Sequence, residues 1–173
     1  MQGKNVLAGL MFCSFLLGGL LAFDGIAAEY HVMDRAGLID ALDAARSSPS
    51  ADTIFLAAGT YSGNFSYIDP VPKTLTIRGE PGTNPQEVIL DGGNNGTVFK
   101  IIVSSPSGTL RLEGLTIQRG SEHGMSVLAS DSLPGTSGSI NIGLTKVIVQ
   151  ENTTSGHGGG ILLVSHQGGT LNL

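Results

Sequence analysis

Arg119, Glu122 and His123 lie in one short polar stretch of the chain, and Glu151, Asn152 and His157 lie in a second about 30 positions further on. Side by side, the two stretches would offer carboxylates, imidazoles, a guanidinium and an amide, the groups of a small polar or metal-binding patch. Loops are polar by default, so the same six residues also read as solvated turns. Asn152 further suits a backbone hydrogen-bonding role along a stack of strands. Asp91 beside Gly92-Gly93, and Asp131 between Ser130 and Ser132, read as turn formers rather than catalytic acids. No group has the spacing of a metal site, so these residues are weak binding candidates with neither a catalytic set nor a cofactor assigned.

The elements that must position these residues announce themselves by repetition. Thr109-Leu110-Arg111-Leu112 returns as Ser139-Ile140-Asn141-Ile142 and again as Thr170-Leu171-Asn172-Leu173, each about 30 residues on. Leu115-Thr116-Ile117-Gln118 is echoed by Val147-Ile148-Val149-Gln150 and anticipated by Leu75-Thr76-Ile77-Arg78. Each copy alternates apolar and polar residues over a few positions, which is strand periodicity. Gly114 or Gly143 supplies a bend between strands, and Met125–Leu128 and Ile161–Val164 supply a third strand to each unit.

Such a chain predicts an all-β solenoid, a parallel β-helix with three short strands per rung and like strands stacked about 4.8 Å apart. The expected inward ladders are Leu110, Ile140, Leu171 and Leu112, Ile142, Leu173. The expected outward ladder is Arg111, Asn141, Asn172, with Thr116 under Ile148 and Gln118 under Gln150. Each buried aliphatic side chain contributes roughly 1.5–3 kcal/mol before ordering entropy is subtracted.

Ahead of the repeats, Tyr30–Met33 reads as a strand and Asp34 as a helix N-cap. Leu38, Ile39, Leu42 and Ala45 then line one face of a helix over Arg35–Arg46, stopped by Ser47-Ser48-Pro49-Ser50. This amphipathic helix is expected to cap the open end of the stack. Further strands are expected at Asp52–Tyr61, Leu75–Arg78, Val88–Asp91 and Val98–Val103. No helices intervene between them, which excludes a βαβ fold.

A net charge of −5 without any basic run argues against nucleic acid as a partner. Lys4, the apolar run Val6–Phe23 and the small residues Gly25-Ile26-Ala27-Ala28 form a secretory signal peptide, residues 1–28, cut after Ala27 or Ala28. An uncleaved anchor is the competing reading, since about 18 apolar residues just span a bilayer. The single cysteine, Cys13, would leave with the signal, so the secreted chain, with no membrane span, would depend on packing rather than disulfides. Asn64, Asn95 and Asn152 head glycosylation sequons, a frequent coincidence in a chain rich in Asn, Gly, Ser and Thr.

The segments Asp52–Tyr61, Leu75–Gly79, Ile89–Gly93, Glu113–Gln118 and Gly158–Ile161 together resemble the opening coils of bacterial secreted right-handed parallel β-helix proteins of the pectin-lyase-like class. The resemblance implies a right-handed coil and covers nearly all of residues 29–173. It implies no single activity, because the class includes lyases, hydrolases and adhesins. Lyases of the class gather calcium-binding carboxylates and a basic Arg or Lys on an outward face, and the ladders read from this sequence lack that set. The chain ends inside a strand, so 29–173 is expected to be the N-terminal capping region and first rungs of a longer domain. The expected function is an exported scaffold that binds or displays to an extracellular polysaccharide or cell surface. The alternative is the N-terminal part of a polysaccharide lyase or glycoside hydrolase whose site, with any Ca2+, lies in later rungs.

Overall fold

The computed structural model describes residues 26–69, 73–103, 107–129, 139–155, 159–165 and 170–173. The chain opens with β1 (Glu29–Val32) and α1 (Arg35–Ser47), then runs through β2 (Asp52–Leu56), β3 (Gly59–Ser62) and β4 (Phe65–Asp69). The same three-strand sequence recurs as β5 (Thr74–Gly79), β6 (Val88–Asp91) and β7 (Phe99–Val103), and as β8 (Ser107–Glu113), β9 (Thr116–Gln118) and β10 (Met125–Ala129). It recurs once more as β11 (Ser139–Thr145), β12 (Ile148–Gln150) and β13 (Ile161–Ser165), before β14 (Thr170–Asn172).

Every pairing is parallel, and like strands stack on like. The first sheet has the order β1-β2-β5-β8-β11-β14, the second β3-β6-β9-β12 and the third β4-β7-β10-β13. The chain therefore visits three sheets in fixed cyclic order, an arrangement consistent with a parallel β-helix. We call each such pass a rung. Strand β4 is additional to the expected strands and pairs with β7 from Phe65↔Phe99 to Asp69↔Val103.

Helix α1 forms because Asp34 caps it, its Oδ1 accepting from the Gly37 N–H at 2.8 Å. Leu38, Ala41, Leu42 and Ala45 are buried on its inner face. The helix packs against β1, β2 and β4, strands at one end of the stack, where a cap was expected.

The inward ladders are aliphatic, but two differ from the expected register. Leu110 pairs with Ile142 and Leu112 with Leu144, two residues away from the spacing inferred from the repeat; Arg111 accordingly faces Gly143 rather than Asn141. Pairing of β11 with β14 keeps the expected Ile140↔Leu171 and Asn141↔Asn172. Strand β11 carries one more apolar–polar alternation than β8, with Ile140, Ile142 and Leu144 against Leu110 and Leu112, and a slip of two residues leaves every side chain on its original face. Leu75–Arg78 likewise belongs to the first sheet, paired with Leu110–Glu113, rather than prefiguring β9. The bend before β9 falls at Gly114, with φ 64°, and its counterpart is Lys146, with φ 52°. Gly143 lies within β11 instead.

One polar pair enters the core beneath the cap. Asp52 precedes Leu75, Leu110 and Ile142 in an otherwise aliphatic ladder. Lys73 Nζ lies 3.5 Å from Asp52 Oδ2, with both side chains fully buried. Lys73 also donates to the Ala45 and Ser48 carbonyls, the latter at 2.7 Å, so the lysine sits at the negative end of α1.

Candidate functional site

Of the expected site residues, Arg119, Glu122, His123, Glu151 and Asn152 lie where the second sheet turns into the third. Asp91, Gln118 and Gln150 end β6, β9 and β12 in register. Gln150 Nε2 donates to Gln118 Oε1 at 3.1 Å, and Gln118 Nε2 donates to Asp91 Oδ2 at 3.0 Å. The following residues, Arg119 and Glu151, both adopt left-handed backbone, with φ 55° and 54°. That conformation costs a non-glycine residue roughly 1–2 kcal/mol.

Arg119 is held there by contacts along the stack. Its Nε donates to Asp91 Oδ1 at 2.8 Å, its Nη2 pairs with Oδ2, and its carbonyl accepts from the Asn94 N–H at 2.7 Å. Asp91 is buried and also accepts from the Gly93 N–H at 2.9 Å. Burial alone favours the neutral acid. The Arg119 guanidinium, the Gln118 amide and the Gly93 N–H outweigh it and hold the Asp91 carboxyl below its ordinary value.

Asn152 acts as a spacer between rungs. Its Oδ1 accepts from the Gly120 N–H at 2.7 Å, and its Nδ2 donates to the Ile117 and Gln150 carbonyls at 3.1 and 2.8 Å. A Cβ on Gly124 would stand 2.6 Å from that amide nitrogen, so the close approach requires glycine. Arg119 and Asn152 are thus engaged by the chain itself, and Glu151 stands exposed beside them.

Glu122 and His123 do something different. Thr97 Oγ1 donates to Glu122 Oε2 at 3.2 Å, and the Val98 N–H donates to the His123 carbonyl at 3.0 Å, which sets this loop against the turn of the preceding rung. Both residues line a groove of about 400 Å³ with Asn64, Thr97, Lys100, Ser126 and Leu162. Ser66, Lys100, Ser126 and Leu162 form the outward ladder of its floor, one residue per rung. Lys100 is exposed and makes no ion pair among the described residues. Sequence reasoning missed it, although the alternation Phe99-Lys100-Ile101 set over Met125-Ser126-Val127 carries the signal. His157 lies outside the described residues.

The outward face of the first sheet is largely self-partnered. His31 stacks on Phe55 at 4.8 Å and 7°, and its Nδ1 lies 2.5 Å from Glu80 Oε1. Arg78 lies 5.8 Å from the Phe55 ring centre and 3.6 Å from Glu113 Oε2. A smaller dent of about 320 Å³ adjoins it, with Arg111, Asn141, Gly143 and Thr145 in its wall. Among the described residues, no three His, Cys, Asp or Glu side chains gather as a metal site, and no helix is long and apolar enough to cross a membrane.

No family model matches the chain, and no curated protein or solved structure matches it.

Proposed function

We propose that the chain is an exported right-handed parallel β-helix of the pectin-lyase-like class, and that its outward groove on the third sheet binds an extended extracellular polysaccharide. The observation carrying this reading is the groove itself. Hydrogen-bonding side chains from successive rungs line a trough that crosses the strands, and Lys100 stands in it without an ion-pair partner among the described residues. A linear glycan offers repeating hydroxyl and acidic groups to such a ladder, and exposed Lys and Ser side chains would meet them.

The same groove supports a binding role better than a catalytic one. Among the described residues that line it Glu122 is the one carboxylate, whereas acid–base glycoside chemistry uses two. The test is direct: titrate the secreted protein against a panel of linear acidic and neutral glycans while assaying for new reducing or unsaturated ends. Saturable binding to an acidic glycan with no products is the expected outcome. Product formation would replace this reading with a lyase or hydrolase, and silence across the panel would remove it.

A further inference from the structure

We infer that the chain is cut between Ala27 and Ala28, and that the ammonium group released on Ala28 becomes the charge partner of the buried Asp52 carboxylate. The inference rests on the proposed export, and it identifies the scissile bond together with the purpose of the new terminus.

Asp52 is buried to 1% exposure in an aliphatic ladder, a costly place for a carboxylate. Its Oδ1 accepts from the Ala28 N–H at 3.1 Å and from Ser48 Oγ at 3.3 Å. Among the described residues its Oδ2 has no hydrogen-bond partner, and the cation paired with it, Lys73 Nζ, is 3.5 Å away. Lys73 is itself shared with the Ala45 and Ser48 carbonyls at the end of α1. Two negative poles, the Asp52 carboxylate and the C-terminal end of α1, therefore face one lysine. A second cation would balance them, and the nitrogen already placed on Asp52 is that of Ala28.

Engagement with the first sheet begins at the same point. Ile26 is 92% exposed and Ala27 is exposed, whereas the Ala28 carbonyl accepts the Thr53 N–H at 2.9 Å as the first bond of the β1–β2 ladder. Cleavage after Ala28 would remove both the donor to Asp52 and the acceptor for Thr53. Cleavage after Ala27 keeps both and strengthens one, because an amide N–H becomes an ammonium. Chemically, an export peptidase adds water across the Ala27–Ala28 amide. The new carboxylate departs on Ala27, and the amine on Ala28 takes up a proton and turns to Asp52.

The full chain exported under its own leader by bacterial cells should begin at Ala28 when its mass is measured. A different first residue overturns the assignment while leaving export intact; an uncut chain overturns both. The charge partnership is read separately, on a chain made to start at Ala28 by a fusion protease that leaves no residue behind. Acetic anhydride should acylate its terminal amine at least tenfold more slowly than in the free peptide Ala-Glu-Tyr-His, and Asp52→Asn should restore most of that rate. Equal rates in protein and peptide overturn the pairing without requiring any variant to fold, as does slow acylation that Asp52→Asn leaves unchanged in a folded protein.

Discussion

The corner after the second sheet and the groove on the third sheet are neighbours, yet they use their polar side chains in opposite ways. In the corner, Asp91, Gln118, Gln150, Arg119 and Asn152 all find partners one rung away. In the groove, Lys100, Ser66 and Ser126 face outward along a ladder whose members differ from rung to rung. Polar residues at a turn are thus no guide to binding when the turn recurs at each rung, because the stack itself supplies their partners. Residues that break an outward ladder are the better guide.

The sharpest way to break this contrast is to remove Asp91. Asp91→Ala leaves the Gln118 amide and the Gly93 N–H without their acceptor and releases the half-exposed Arg119 guanidinium to solvent. A loss of about 1.5–3 kcal/mol is expected, as for hydrogen bonds lost from a charged acceptor, read from the urea midpoint by circular dichroism. Glycan affinity of the folded fraction should not change. Asn152→Ala should follow at about 1–2 kcal/mol, through the unsatisfied Gly120 N–H and Ile117 carbonyl. If either variant weakened glycan binding at full folding, the corner would belong to the site after all.

Titration separates the two ends of the pH scale. The Asp91 carboxyl is held below its ordinary value, so the folded state keeps it ionised while the unfolded chain takes up a proton. Its contribution is fully present above the unfolded value, about 3.9, and is lost as pH falls through the lower folded value. Asp91→Asn should flatten that acid limb. Tyr61 acts in the opposite sense. Its buried hydroxyl lies 2.9 Å from the Val32 carbonyl and 3.0 Å from that of Ala57. Burial, together with the Asp34 and Glu80 charges, pushes the phenol up to about 12. The unfolded chain ionises first, so stability should fall as pH rises from about 10 towards that value, by roughly 2–3 kcal/mol in all. Tyr61→Phe should lose that alkaline slope, whatever its effect at neutral pH.

Much of the fold was legible because inward residues repeat with a period of two along each strand and about 30 along the chain. Three parallel sheets follow from that pattern, and the capped helix from Asp34 and the helical spacing of Leu38, Leu42 and Ala45. Register was less legible, since sliding β8 by two residues keeps Leu110 and Leu112 inward and changes only which neighbours they meet. Asp52 and Lys73 were hidden for another reason. A charge in a short strand reads as outward, and only the three-dimensional approach of α1 shows that this carboxylate and ammonium point into the core. The same limit applied to the site: Glu122 and His123 were visible as a polar loop, whereas Lys100 joins them only once β7 is laid beside β10.

The finest test of the contrast is Lys100→Gln, the smallest change in structure with the most specific expected effect. Lys100 is exposed and makes no ion pair among the described residues, so its replacement should move stability by no more than about 0.5 kcal/mol. If an acidic glycan lies in the groove, the lost charge-assisted hydrogen bond is worth about 1.5–3 kcal/mol, a weakening of tenfold or more. Raising the salt concentration should weaken binding of the native protein and hardly affect the variant, because the Gln amide keeps a hydrogen bond but no charge. A Lys100→Gln protein that bound acidic glycans as tightly as the native chain, with the same salt dependence, would move the binding surface off the third sheet. The outward dent around Arg111 would then be the next face to probe.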